Sequence, residues 1–118
     1  MQSDPRVLLA DIDQAGADIE SFVEGMDTEA YAVNVLVQAA VERKFEIIGE
    51  AVNRLSKLHP DLAERIPQVR KIVNFRNVLA HGYDHVVPEL VWDYAQNHLP
   101  QLRETVRSMI SDLESTKD

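Results

Sequence analysis

Four side chains with acid–base or hydrogen-bonding chemistry fall within eight positions, in the segment Arg76-Asn77-Val78-Leu79-Ala80-His81-Gly82-Tyr83. These residue types suit phosphodiester chemistry that uses no metal and no cofactor. The imidazole of His81 can accept a proton from a ribose 2′-hydroxyl or donate one to the leaving oxygen. The guanidinium of Arg76 can stabilise the charge that develops on the phosphate. Asn77 can hold the imidazole or a phosphate oxygen, and Tyr83 can stack on a base or donate to phosphate.

Helical spacing decides which of these side chains can meet. Asn77 and His81 are four residues apart and share one face of a helix. Arg76 and His81 are five apart, about 140° around the axis, so they meet only if the long arginine bends towards the histidine. Gly82 allows the chain to turn and Tyr83 to fold back. The spacing also fits an ordinary helix end, in which His81 interacts with the dipole and Arg76 forms a structural ion pair.

Charge is unevenly distributed along the chain. The net charge is −8, which argues against a constitutive nucleic-acid binder. Segment 65–85 is nevertheless basic, with four lysines and arginines against Asp84 alone, and it contains His81 and His85. This cluster is either chance on a solvated surface or the mark of one confined cleft for an anion. The acidic remainder would repel RNA elsewhere or attract a basic partner.

Apolar periodicity predicts helices throughout. Ser3 or Asp4 can cap a first helix that opens at Pro5 and buries one apolar stripe: Leu8, Ile12, Ala15, Ile19 and Phe22. A second, long helix is expected from Thr28 to about His59, with Tyr31 and Val35 in its buried stripe. A short turn follows at Asp61.

Prolines and a glycine delimit the remaining helices. Pro67 should open a third helix that ends near Gly82, Pro88 a fourth, and Pro100 should kink or split the last segment. Short connections between amphipathic helices predict an all-α, up-and-down antiparallel bundle of four to five helices. The 118 residues fit a single domain over 1–118.

Composition excludes several classes of protein. There is no cysteine, which rules out disulfides, zinc fingers and thiol catalysis. No apolar run is long enough to span a membrane, and the N-terminus lacks the pattern of a signal peptide. We therefore expect a cytoplasmic protein. His81 and His85 are four apart, but Gly82 should interrupt the helix between them, so no metal site is expected.

The long helix contributes two further candidates. Glu46, Glu50 and Asn53 follow one another at steps of four and three and form a polar stripe beside the apolar one. Either glutamate could orient Arg76 from across the bundle. The alternative is a solvated helix face.

The motif Arg76-Asn77-x-x-x-His81-x-Tyr83 resembles the signature of HepT-like toxins in the HEPN superfamily. Two more blocks are similar to the same family. One is Glu42-Arg43-Lys44-Phe45-Glu46-Ile47-Ile48-Gly49-Glu50-Ala51; the other comprises Val91-Trp92 and Leu99-Pro100-Gln101-Leu102. Together the blocks cover roughly residues 30–110, in the expected order, which is far more specific than the short motif alone.

The resemblance implies a metal-independent endoribonuclease toxin that acts as a homodimer, with two motif copies at a shared cleft. Arg76 and His81 match the catalytic positions. The implied partner is a small nucleotidyltransferase antitoxin of the MntA type, which adenylylates the motif tyrosine, here Tyr83, and silences the nuclease. Two alternatives stay open. One is a non-catalytic helical module that binds nucleotide or RNA or simply partners a nucleotidyltransferase. The other is a helical scaffold dimer.

Overall fold

A computed structural model describes residues 4–67, 69–81 and 87–115, apart from the side chains of Arg76, Val78, Ala80 and His81. The described residues form helices and no strands. In chain order the helices are α1 (Pro5–Phe22), α2 (Thr28–Ala32), α3 (Val35–Leu58), α4 (Pro60–Ala63), α5 (Val69–His81), α6 (Pro88–Asn97) and α7 (Leu99–Ser115). Five are long and two are single short turns, which confirms the predicted all-α architecture.

The first helix begins as predicted, but its buried apolar stripe ends before Phe22. Pro5 occupies the first helical position, and the Asp4 carboxylate accepts a hydrogen bond from the Arg6 backbone N–H at 2.9 Å. Leu8, Ile12, Ala15 and Ile19 are buried, as is Leu9. Phe22 was expected in this stripe but is 37% exposed, because α1 ends there and the chain turns away through Gly25 at φ +79°.

The predicted single helix from Thr28 to His59 is wrong, because Val33 and Asn34 are not helical and separate α2 from α3. The Asn34 side chain accepts a hydrogen bond from the Val37 backbone N–H at 3.0 Å and so caps a new helix, α3. Tyr31 is buried on α2, whereas Val35 is 75% exposed. The break places these two residues on different helices, and only one of them belongs to the core.

Pro88 starts α6, as expected, whereas the short turn predicted at Asp61 begins one residue earlier, at Pro60, and has no side-chain cap. The predicted split near Pro100 is also found: α6 ends at Asn97, and α7 starts at Leu99. Pro100 occupies the first turn of α7, where its missing N–H costs nothing. The helix predicted from Pro67 starts slightly later, at Val69.

α1 packs antiparallel to both α3 and α7, and α5 packs against α3. Lys44 of α3 pairs with Asp18 near the end of α1, at 2.9 Å. Arg103, early in α7, pairs with Asp13 and Glu20 of α1. The core is apolar and lies between these helices, with Leu9, Ile12, Val41, Val52, Leu55, Leu99, Val106 and Met109 fully buried. Gly16 lies under the stem of Arg103, where an added Cβ would come within 2.9 Å of two side-chain carbons.

Among the described helices, none combines the length and apolar character that crossing a membrane requires.

Candidate functional site

An aromatic cluster fixes the helix that holds the motif. Phe75 of α5 stacks on Tyr94 of α6, with ring centroids 4.9 Å apart and planes at 14°. Phe45 of α3 lies edge-on to both rings, 5.2 Å from Phe75 and 5.4 Å from Tyr94. Arg76 follows Phe75 directly, so this cluster sets the backbone position at which the motif begins.

The backbone of α5 places Arg76, Asn77 and His81 on its last turns. Arg76 and His81 are separated by about 7.5 Å along the helix axis, and His81 is the last residue of the helix. The Asn77 side chain is exposed. Because the Arg76 and His81 side chains lie outside the described structure, their meeting remains a prediction. Gly82, Tyr83 and His85 also lie outside the described residues.

The two glutamates of the polar stripe lie in a groove between α1 and α3. This groove, which we call the α1–α3 groove, has a volume of about 350 Å³ and is lined by Glu46, Glu50, Arg43, Arg54 and Asp11 among others. Glu46 accepts a hydrogen bond from the Arg43 guanidinium at 3.1 Å. The proposed orientation of Arg76 by either glutamate therefore stays a prediction, and Glu46 already has a partner on its own helix.

Asn53, the third member of that stripe, faces a different groove. Here α3 and α5 enclose a volume of about 470 Å³, the α3–α5 groove, with Asn53 and Ser56 on one side and Val69, Arg70, Val73 and Asn74 on the other. These pairings, together with Phe45 against Phe75, show that α5 runs antiparallel to α3. The groove therefore leads along α5 towards Arg76.

Glu42 is a further ionisable residue near the polar stripe, and its burial could not be predicted from the sequence. It lies on α3 one turn before Glu46 and is half-buried. Burial, and secondarily the charge of Glu46, raise the pKa of the Glu42 carboxyl above its usual value of 4.5. Burial first, and the charge of Glu42 second, raise the pKa of the neighbouring Tyr31 phenol.

The Tyr31 hydroxyl is buried and makes no hydrogen bond within the described part of the chain. Its ring packs against Trp92 of α6, with centroids 5.3 Å apart. Trp92 and Tyr94 thus both pack against the core. A buried polar atom without a hydrogen-bond partner normally costs stability. Among the described residues, this contact region of α2, α3 and α6 is where a buried side-chain polar atom lacks a hydrogen bond.

Two basic side chains of segment 65–85 form no ion pair within the described residues. Arg65 is engaged by Asp112 of α7 at 2.7 Å. Arg70 and Lys71, in the first turn of α5, are exposed and form no ion pair with any residue that the structure describes. Within residues 4–67, 69–81 and 87–115, no group of three or more histidine or acidic side chains is arranged to hold a metal ion.

The chain is similar in sequence to proteins that are named as ribonucleases. A family model for HepT-like ribonucleases matches residues 12–109. Two proteins of Methanocaldococcus jannaschii, each named "Putative RNase", are 33% and 31% identical to this chain over 94% of its length, covering 95% and 91% of their own lengths. A "Probable ribonuclease HepT" of Thermococcus cleftensis is 31% identical over 80% of the chain and 86% of its own length. No solved structure matches the chain. The chain belongs to the HepT-like ribonuclease family.

Proposed function

We propose that this protein is a metal-independent endoribonuclease toxin in which Arg76 and His81 perform the chemistry. The observation that carries the proposal is the membership of residues 12–109 in a ribonuclease family, with Arg76 and His81 on the closing turns of one helix inside that range. The basic segment supports it, because Arg70 and Lys71 flank the motif on an otherwise acidic chain.

The reaction needs one base, one acid and one cation. His81 accepts the proton of a ribose 2′-hydroxyl, and that oxygen attacks the adjacent phosphorus. The bond from phosphorus to the 5′-oxygen breaks as a protonated imidazole donates to the leaving oxygen. Arg76 stabilises the extra negative charge on the phosphoryl oxygens. The products are a 2′,3′-cyclic phosphate and a 5′-hydroxyl.

A homodimer would supply the second imidazole, and an exposed apolar surface supports this assembly. Val33, Val35 and Leu36, at the junction of α2 and α3, are 75–81% exposed, and Leu90 of α6 is 65% exposed. The contact of Tyr31 with Trp92 holds α2 against α6, so these residues lie on elements packed together. We call them the apolar junction. Exposed apolar residues grouped in this way mark protein interfaces.

The apolar junction lies at the same end of the bundle as the motif. From the level of the Phe45–Phe75 contact, His81 is about 9 Å further along α5. Because α3 is antiparallel, Leu36 lies about 13 Å from that contact in the same direction. Two copies joined through the apolar junction would bring their α5 ends close together.

Silencing by adenylylation of Tyr83 is part of the proposal and follows from the family resemblance. A nucleotidyltransferase antitoxin would transfer an adenylyl group from ATP to the phenol oxygen, with pyrophosphate as leaving group. Intact-mass analysis after co-expression should show an increase of about 329 Da per adenylyl group or a multiple. An unmodified Tyr83 peptide from protein that the partner has silenced would contradict this step.

The net charge of −8 favours a second candidate, a non-catalytic module that partners a nucleotidyltransferase. One experiment separates the two. Purified protein is incubated with single-stranded RNA in excess EDTA, and the ends of any fragments are identified. Cleavage that leaves 2′,3′-cyclic phosphate and 5′-hydroxyl ends supports the ribonuclease. Absence of turnover, with a stable complex once the nucleotidyltransferase is added, supports the module.

A further inference from the structure

The α3–α5 groove has the dimensions and lining of a site for a small polar ligand. Its volume of about 470 Å³ lies in the range that such sites occupy. Val69 and Val73 are half-buried and give it an apolar wall on α5. Asn53 and Ser56 are half-buried on the α3 side. The groove therefore combines an apolar surface with hydrogen-bonding groups from two separate helices.

The polar side chains of the groove keep their hydrogen-bonding capacity. Asn53, Ser56 and Asn74 make no side-chain hydrogen bond to any residue within the described ranges. Arg70 at the rim is likewise without an ion pair there, and Glu64 is the one carboxylate among the lining residues. Two amides, a hydroxyl and a guanidinium can pair with base edges, sugar hydroxyls and phosphate.

The groove lies beside the part of α5 that directly precedes the motif. Arg70 precedes Arg76 by six residues, about 9 Å along the axis, and Asn74 precedes it by two, about 3 Å. A chain of nucleotides whose scissile phosphate lies at Arg76 would place its next nucleotide against this part of the helix.

We propose that the α3–α5 groove binds the RNA nucleotide next to the scissile phosphate. Asn53 and Asn74 recognise its base, and Arg70 holds its phosphate. This inference rests on the proposed ribonuclease function, which supplies RNA as the ligand. Val69 and Val73 contact the base or ribose, and Ser56 donates to a sugar or base oxygen.

The first test is an NMR titration of the wild-type protein with a short single-stranded RNA in which every ribose is 2′-O-methylated. Methylation removes the attacking hydroxyl, so binding is observed without cleavage. The amide resonances of Asn53, Ser56, Val73 and Asn74 should shift, whereas those of Arg43 and Ile47, in the α1–α3 groove, should not. Shifts confined to other surfaces, or no binding, overturn the inference.

Two variants separate phosphate contact from base contact. Arg70→Gln should weaken binding of this RNA about tenfold and reduce the slope of log K against log salt by about 0.7, because one phosphate contact is lost. Asn53→Leu should weaken binding without changing the slope. The control is Arg54→Gln, the same change in charge on an exposed arginine of the other groove. Equal effects at Arg54 and Arg70 contradict the assignment.

Failure of this inference and failure of the ribonuclease proposal give different results. If the wild-type protein cleaves RNA but Arg70→Gln leaves KM unchanged, the groove is not the subsite. If the groove resonances shift and no preparation cleaves unmodified RNA, the groove binds RNA and the ribonuclease proposal falls.

Discussion

Phe45 of α3 lies edge-on to Phe75 of α5, with ring centroids 5.2 Å apart and planes at 74°. This contact joins the central helix of the bundle to the helix of the motif, one residue before Arg76. Edge-to-face pairs have a preferred geometry in addition to the area that they bury. The pair therefore fixes the rotation of α5 as well as its distance from α3.

Removal of the Phe75 ring should cost both stability and activity. Phe75→Ala leaves a cavity beside Phe45 and Tyr94, and we expect a loss of about 2–3 kcal/mol in the free energy of unfolding, measured by urea denaturation. Cleavage should fall further than the folded fraction explains. Phe22→Ala is the matched control, since that ring is 37% exposed at the end of α1. Equal losses in the two variants would show that the cluster does not position α5.

Arg103 joins α7 to α1 through two carboxylates. Its guanidinium donates to Asp13 at 3.0 Å and to Glu20 at 2.6 Å, and its stem covers Gly16. Arg103→Met keeps the apolar stem and leaves both carboxylates without their partner. We expect a loss of about 1–2 kcal/mol in unfolding free energy.

The control for Arg103 is Arg107→Met, one turn later on α7. Arg107 is exposed and forms no ion pair within the described residues, so its replacement should change stability by at most about 0.5 kcal/mol. A double-mutant cycle with Asp13→Asn measures the pair directly. A coupling energy of zero would contradict the assigned role of the ion pair.

Glu42 should make stability depend on pH. Burial and the charge of Glu46 raise the pKa of its carboxyl above 4.5 in the folded protein, so the folded state binds the proton more tightly than the unfolded state. The contribution of Glu42 to stability is therefore greatest below about pH 4.5 and is lost as the pH rises through the raised pKa.

Glu42→Gln removes that penalty and should raise the unfolding midpoint at pH 7 with little effect at pH 4. Thermal unfolding at both values tests this, with Glu104→Gln, exposed on α7, as the control. An equal change in midpoint at both pH values would contradict the predicted ionisation. So would a lower midpoint at pH 7.

The apolar junction should be the surface through which two copies associate. Leu36→Lys places a charge at a residue that is 81% exposed, and its two-fold copy would lie nearby, so the dimer should dissociate. Sedimentation velocity should show about twice 13.4 kDa for the wild-type protein and a single chain for the variant. The control is Val7→Lys on α1, which is 58% exposed and outside the junction. Dimers that persist with Leu36→Lys would place the interface elsewhere.

Local signals in the sequence predicted the helical architecture well. Pro5 and Pro88 mark helix starts, and Pro100 marks the boundary between α6 and α7. The error at Thr28–His59 has a visible cause: the apolar stripe of the predicted long helix jumps six residues, from Val35 to Val41, which is out of phase with a continuous helix. Asn34, a good capping residue, stands at the point of the break.

The remaining features depend on contacts between residues far apart in the chain. Arg103 reaches partners 83 and 90 residues away, and no spacing rule predicts such a pair. Burial of Glu42 and exposure of Leu36 are decided by which neighbouring helix covers each position. For the same reason the polar stripe divides, with Glu46 and Glu50 in one groove and Asn53 in another.

The roles of Arg76 and His81 are tested by RNA cleavage in EDTA with Arg76→Ala and His81→Ala proteins whose unfolding midpoints match the wild type. Each variant should lose at least about 100-fold in rate, because each removes proton transfer or charge stabilisation from the same step. Arg54→Ala and His98→Ala, the same residue types elsewhere in the fold, should retain wild-type rates. Cleavage at the wild-type rate by both motif variants would show that neither side chain takes part in the reaction.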